Sequence, residues 1–349
     1  MRPCPHISSF LLATSLLIVT SLRANPGPPQ EATDYASHFN HGGQLFQQMR
    51  IRDAVVEFRE AIRLEPSYLP AHQALAVGYA MSQRFDLAWQ EVALVRHAKG
   101  DLPPAFLRTL GEELPEKDAA AKREANSAEL AAAQKAVDSA PKDTAAIARL
   151  SRAFLNLGDF PAAQKQADLA LQLNPKEPMA QFVLATLLAL DPPTFQEALP
   201  HLKLYLQNAP RDASTSADVA QACWMLGDLY RRSEKEAPAL AAYEDGLKVE
   251  PENFHILNNA AWLYATASDA SLRDPKKALA YAQKAVALTN SAKSTLLDTL
   301  GESYYVNGRY DDAIATEKKA IALSPENDLY ADQLKKFQKA KQSQDAPKP

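Results

Sequence analysis

Six histidines lie beyond residue 24: His38, His41, His72, His97, His201 and His255. Imidazole is the group best suited to proton transfer or metal ligation near neutral pH. None of the six belongs to an HExxH arrangement, and no cysteine or carboxylate stands at metal-ligand spacing beside them. His38 and His41 are three apart on an expected helix and read as surface or cap residues. Asp311 with Asp312, and Glu112 with Glu113, are adjacent carboxylates. Neighbours on a helix point about 100° apart, so these are poor acid–base pairs and better read as solvated charge. There is no P-loop, no GxGxxG and no GxSxG. The residues point to recognition rather than catalysis, with no cofactor and no metal expected.

Composition agrees with that reading. Hydrophobic residues make up 46% and charged residues 23% of the 349, as in folded soluble chains. The formal charge is −4. Setting aside the first 24 residues, whose charges are Arg2 and Arg23, leaves 36 basic against 42 acidic residues. Such a chain lacks the clustered Lys and Arg that phosphate binding needs, so nucleic acid is not an expected partner. Cys4 and Cys223 are the two cysteines. Loss of Cys4 with a leader would leave one thiol and no internal disulfide.

The first 24 residues read as a signal peptide. Arg2 precedes the apolar run FLLATSLLIVTSL at 10–22. That run is short for a bilayer span, which takes about 20 apolar residues, and is the length of a secretory apolar region. Cleavage is expected after Ala24; an uncleaved anchor is the alternative, and only then is a membrane a partner. Residues 25–34 form a Pro-rich linker. The chain is expected to be exported, periplasmic or secreted.

The elements that follow are set by a repeat. Pro141 and Pro175 are 34 residues apart, and each closes a phrase that recurs. The phrases are IRDAVVEFREAIRLEP before Pro66, FPAAQKQADLALQLNP before Pro175 and YDDAIATEKKAIALSP before Pro325. They share Ala54 and Ala61, Ala163 and Ala170, Ala313 and Ala320, small residues that let helices approach closely. A proline cannot continue the helix and ends each phrase. Upstream of these lies a second half-pattern: Leu297, Leu300, Gly301 and Tyr304; Cys223, Leu226, Gly227 and Tyr230; and, more loosely, Ile147, Leu150, Ser151 and Phe154. Offsets of three, four and seven form one helical face.

Both halves together resemble the tetratricopeptide (TPR) repeat, whose first helix carries W-x2-L-G-x2-Y. The resemblance implies an all-α, right-handed α-solenoid of helix-turn-helix hairpins. Eight units are placed at about 35–66, 69–100, 103–141, 144–175, 178–210, 213–251, 254–290 and 294–325. The organisation is an N-terminal pair at 35–100, a degenerate repeat or joint at 101–141, an array at 142–325, a capping helix at 326–343 and a disordered tail at 344–349. In the repeat, Cys223 takes a position usually held by an aromatic, which makes it a small core residue rather than a nucleophile.

In this family the first helices line the concave side, where many ligands lie. The residues placed there are Arg152; Phe182; Trp224, Asp228 and Arg231; Asn258 and Trp262; and Asp298, Glu302 and Tyr305. Trp, Tyr and Arg dominate interface energetics, though Trp224 and Trp262 could equally pack between first helices. The Lys, Asn and Arg clamp of chaperone-binding relatives is missing, since Phe39, Gly43, Gln73 and Val77 stand at comparable places. The resemblance implies a non-enzymatic scaffold or adaptor that binds a protein or peptide. An accessory or regulatory subunit of an envelope enzyme or assembly complex is the alternative.

Overall fold

A computed structural model describes residues 34–212, 215–290, 293–325 and 327–345. The expected leader, most of the Pro-rich linker and the last four residues of the tail lie outside them. The described residues form seventeen α-helices, two short 3-10 turns and no strand. No helix among them is long and apolar enough to cross a membrane. They divide into an N-terminal block ending at Ala209 and a C-terminal block beginning at Pro210.

The N-terminal block contains α1 (Asp34–Gln47), α2 (Ile51–Leu64), α3 (Leu69–Met81), α4 (Phe85–His97), α5 (Pro104–Glu113), α6 (Glu116–Ser139), α7 (Thr144–Asn156), α8 (Phe160–Leu173), α9 (Pro178–Leu190) and α10 (Ala198–Asn208). The C-terminal block contains α11 (Ser216–Arg232), α12 (Glu236–Val249), α13 (Phe254–Thr266), α14 (Pro275–Leu288), α15 (Ser294–Val306), α16 (Tyr310–Leu323) and α17 (Asp328–Asp345). The hairpins are α1/α2, α3/α4, α7/α8, α9/α10, α11/α12, α13/α14 and α15/α16.

Local sequence accounts for the joints. The residue before each closing proline leaves the helix, as steric conflict with the proline ring requires. Glu65, Asn174, Glu250 and Ser324 each donate one last backbone N–H to a residue four back, Ala61, Ala170, Gly246 and Ala320 respectively. Asp143, Asp159, Asn253 and Asp274 cap the next helices by accepting from backbone N–H groups. Within five hairpins the chain turns through one left-handed residue: Met49, Gln83, Gly158, Glu234 and Gly308. In each, the following N–H reaches back to a first-helix carbonyl, as Arg84 to Tyr79 at 2.8 Å and Asp159 to Phe154 at 3.0 Å.

The shared alanines do what their size allows. Ala54, Ala61, Ala163, Ala170, Ala313 and Ala320 are all fully buried. The first-helix glycine admits a large side chain from the second helix: Phe58 lies against Gly42, and Tyr243 against Gly227.

Residues 101–141 do not form a hairpin. The ten-residue α5 buries Phe106 and Leu110, and Trp89 Nε1 donates to the Leu114 carbonyl at 2.7 Å. The 24-residue α6 then packs on α4 and α7. Only Ala119 and Ala133 of α6 are buried.

The N-terminal block also holds contacts between hairpins distant in the chain. The turn after α7 docks on the first two hairpins. Arg59 donates to the Gly158 carbonyl at 2.9 Å, and Arg84 to the Leu155 carbonyl at 2.9 Å. Asp191, 2% exposed, accepts from the backbone N–H of Arg52 at 2.9 Å and pairs with its guanidinium at 3.4 Å. It thereby caps a helix whose second residue, Arg52, lies 139 residues earlier. Burial raises the Asp191 carboxyl above its ordinary range, partly countered by Arg52, and lowers the Arg84 guanidinium to about 10.

The capping helix expected at 326–343 is α17, which extends to Asp345. It packs on α16 and buries Tyr330 and Phe337.

Candidate first-helix binding face

The residues placed on the concave stripe fall in both blocks. In the N-terminal block, Arg152 is half-buried, with Nη1 3.9 Å from Met179 Sδ. Phe182 is buried, its ring centroid 5.0 Å from that of Tyr205 on the partner helix of the same hairpin. It is a core residue and not a surface anchor, because the second helix folds directly over it.

In the C-terminal block the stripe divides by helix. Trp224, Asp228 and Arg231 on α11 are half-buried and keep exposed surface. Arg231 Nη2 lies 2.6 Å from Asp228 Oδ1, which orients the guanidinium along the helix. The Trp224 ring packs on the block's core and lies 6.1 Å from the His255 ring of α13, so it contacts the neighbouring first helix as well. Its Nε1 is buried without a hydrogen-bond partner, as is Asn258 Oδ1. Asn258 and Trp262 on α13 are buried, at 6% and 8% exposure. The expectation that they line an open surface is corrected by this burial, and α15 packs on α13.

Asp298, Glu302 and Tyr305 on α15 are also removed from solvent or engaged. Asp298 and Glu302 are buried, and Tyr305 is half-buried. Glu302 accepts from Gln333 Nε2 at 2.6 Å and from Lys336 Nζ, both on α17. Tyr305 stacks on Phe337 with centroids 5.2 Å apart, beneath Lys336 at 4.4 Å. The capping helix therefore occupies the last first-helix face. Among the expected residues, the exposed part of the face in this block reduces to Trp224, Asp228 and Arg231.

The histidines have a structural pattern that their spacing along the chain hides. His38 Nδ1 lies 2.6 Å from Glu57, His72 Nδ1 2.6 Å from Glu91, and His201 Nδ1 2.6 Å from Gln181. Each pair ties the two helices of one hairpin. His41 also approaches Glu57, at 3.2 Å. Sequence separations of 19 or 20 carried the signal, one hairpin length rather than one turn. The hydrogen bond to Glu91 raises the His72 pKa, whereas burial lowers that of His201. Their contributions oppose: the His72 contribution is lost as pH rises through its folded pKa, while His201 disfavours the fold as it charges on acidification. A cleft of about 440 Å³ opens beside His38, Glu57, Arg59 and Arg63. Among the described residues no group of three metal-ligating side chains is disposed to hold an ion. Cys223 is buried and its thiol is pushed up to about 11 by burial, which fits packing and not nucleophilic attack.

Stacked helix hairpins with a Gly-facing second helix and a closing proline define a helical repeat protein of the TPR class. Tetratricopeptide-repeat family models match residues 149–213, 220–253 and 268–328. The chain belongs to the tetratricopeptide-repeat family. No curated protein matches it. Similar solved structures include YrrB, described as a TPR protein with an unusual peptide-binding site, at 15% identity and TM-score 0.48, covering 58% of this chain and 98% of that one. MamA is similar at 18% identity and TM-score 0.41, covering 54% and 94%. A TPR protein of Thermus thermophilus is similar at 25% identity and TM-score 0.34, covering 56% and 96%.

Proposed function

We propose that this chain is an exported scaffold that binds an extended protein or peptide on the first-helix face of its C-terminal block. The observation that carries the reading is α11: Trp224, half-buried, keeps exposed surface beside an Asp228–Arg231 pair on the same helix. Tryptophan supplies a large contact area, and arginine can fork to a carboxylate or stack on a ring. Trp224 and Arg231 are the anchors in this reading.

The test uses a partner captured by photo-crosslinking from α11 in the native cell. Trp224→Ala should weaken that complex by at least about 2 kcal/mol if the ring is a hot spot, with helix content unchanged. Lower thermal stability with unaltered binding per folded molecule would sink the assignment and leave the ring as core. Export rests on the apolar run at 10–22, and the expected mature chain begins at Asn25. A native protein starting at Met1 in the cytosol, by mass spectrometry, would refute it.

A further inference from the structure

The last hairpin departs from the others at one core position. Where the first and sixth units place Phe58 against Gly42 and Tyr243 against Gly227, the eighth places Glu317 against Gly301. Glu317 is fully buried, and neither carboxyl oxygen reaches a donor. An ionised carboxylate in that state would carry its full desolvation cost, which in folded proteins is relieved by protonation.

Its surroundings decide the protonation state. From α15 it faces Asp298, within hydrogen-bond reach, and Glu302; from α17 it faces Lys336. Two buried carboxyls in contact cannot both ionise cheaply. Lys336 is already paired with Glu302, and so its charge is shared. Burial, then the neighbouring Asp298, hold the Glu317 carboxyl well above the ordinary carboxylate range. Protonation would turn Glu317 from a pure acceptor into a donor facing Asp298.

The site lies beneath the capping helix. A Cβ on Gly301 would meet Glu317 Oε2 at 2.8 Å and the Phe337 ring of α17 at 3.2 Å, so the acid and the cap share one seat. The rest of the cap's grip is Gln333 and Lys336 on Glu302, and Phe337 on Tyr305. We propose that the Glu317–Asp298 acid pair is a proton-dependent latch for α17: the cap stays seated while Glu317 is protonated and loosens when it ionises. This goes beyond the binding face on α11 and does not depend on it.

The sign follows from linkage. A carboxyl whose folded pKa is raised contributes fully below its unfolded value, near 4.5, and loses that contribution as pH rises through the folded value. Docking of α17 should therefore weaken steadily from mildly acidic to alkaline solution.

Hydrogen exchange on the full chain, corrected for intrinsic rates, tests this at about pH 6 and about pH 9. Protection of the α17 amides should fall at least about tenfold across that range in the wild type, since a tenfold change needs only one unit of linkage. Glu317→Gln keeps a neutral donor towards Asp298 and cannot titrate, so its α17 protection should be flat and higher at the alkaline end. Carboxyl carbon NMR on the wild type provides the measurement that needs no variant: Glu317 should be neutral at pH 7. An ionised Glu317 at pH 7, or the same pH response in wild type and Glu317→Gln, would overturn the proposal.

Discussion

Alanine in place of Gly158 is expected to destabilise the N-terminal block by about 2–5 kcal/mol. Two causes add. Gly158 has φ +65°, and a left-handed conformation costs an ordinary residue about 1–2 kcal/mol. A Cβ there would also stand 2.7 Å from Tyr79 Cε1 and 3.1 Å from Leu87 Cδ1, side chains of the hairpin on which this turn docks. Forcing them apart adds about 1–3 kcal/mol. Gly308 separates the two causes. It has φ +72° in the equivalent turn of the last hairpin and nothing within 4 Å of its Cβ position. Gly308→Ala should therefore show the backbone cost alone. Denaturant unfolding of both variants decides the matter, and equal costs would mean that the docking of the Gly158 turn contributes nothing.

Gly227→Ala should destabilise the C-terminal block by about 1–3 kcal/mol. On an open helix the same change gains about 0.5–1 kcal/mol, because alanine loses less backbone entropy. Here the new methyl would lie 2.5 Å from Tyr243 Cδ1 and 2.9 Å from Cζ. That ring is fully buried and cannot slide aside, being enclosed by the block's core and approached by Asn259 Nδ2 at 3.5 Å. Gly43 offers the contrast, with nothing within 4 Å, so Gly43→Ala should be neutral or stabilising. Adding Tyr243→Leu to Gly227→Ala should recover part of the loss, because the two changes meet at one contact. Simple additivity in thermal or urea unfolding would show that Tyr243 is not the obstacle.

Much of this architecture is legible in the chain itself. A repeat returns the same packing problem every 34 residues, so the residues that solve it recur: alanines where helices cross, glycine under a ring, proline where a hairpin ends. Cys223 as a core residue follows from its register alone. The left-handed turns at Met49, Gln83 and Glu234 do not, because no glycine marks them. Glu317 lay in plain view, twenty residues beyond Leu297, and comparison with Phe58 and Tyr243 marks it as an acid in an aromatic's place.

The tertiary structure decided the rest. Periodicity puts Phe182, Trp262 and Glu302 on the first-helix face, but whether that face meets solvent depends on what lies over it. Tyr205 covers the first and α17 the third, and the second is buried in the helix packing of its block. The docking of Asp191 on Arg52 joins residues that no repeat relates, so it leaves no periodic trace. Short-range spacing encodes which surfaces a helix offers. Which of them stay open is set by the helix that packs over them, which the register of a single helix does not record.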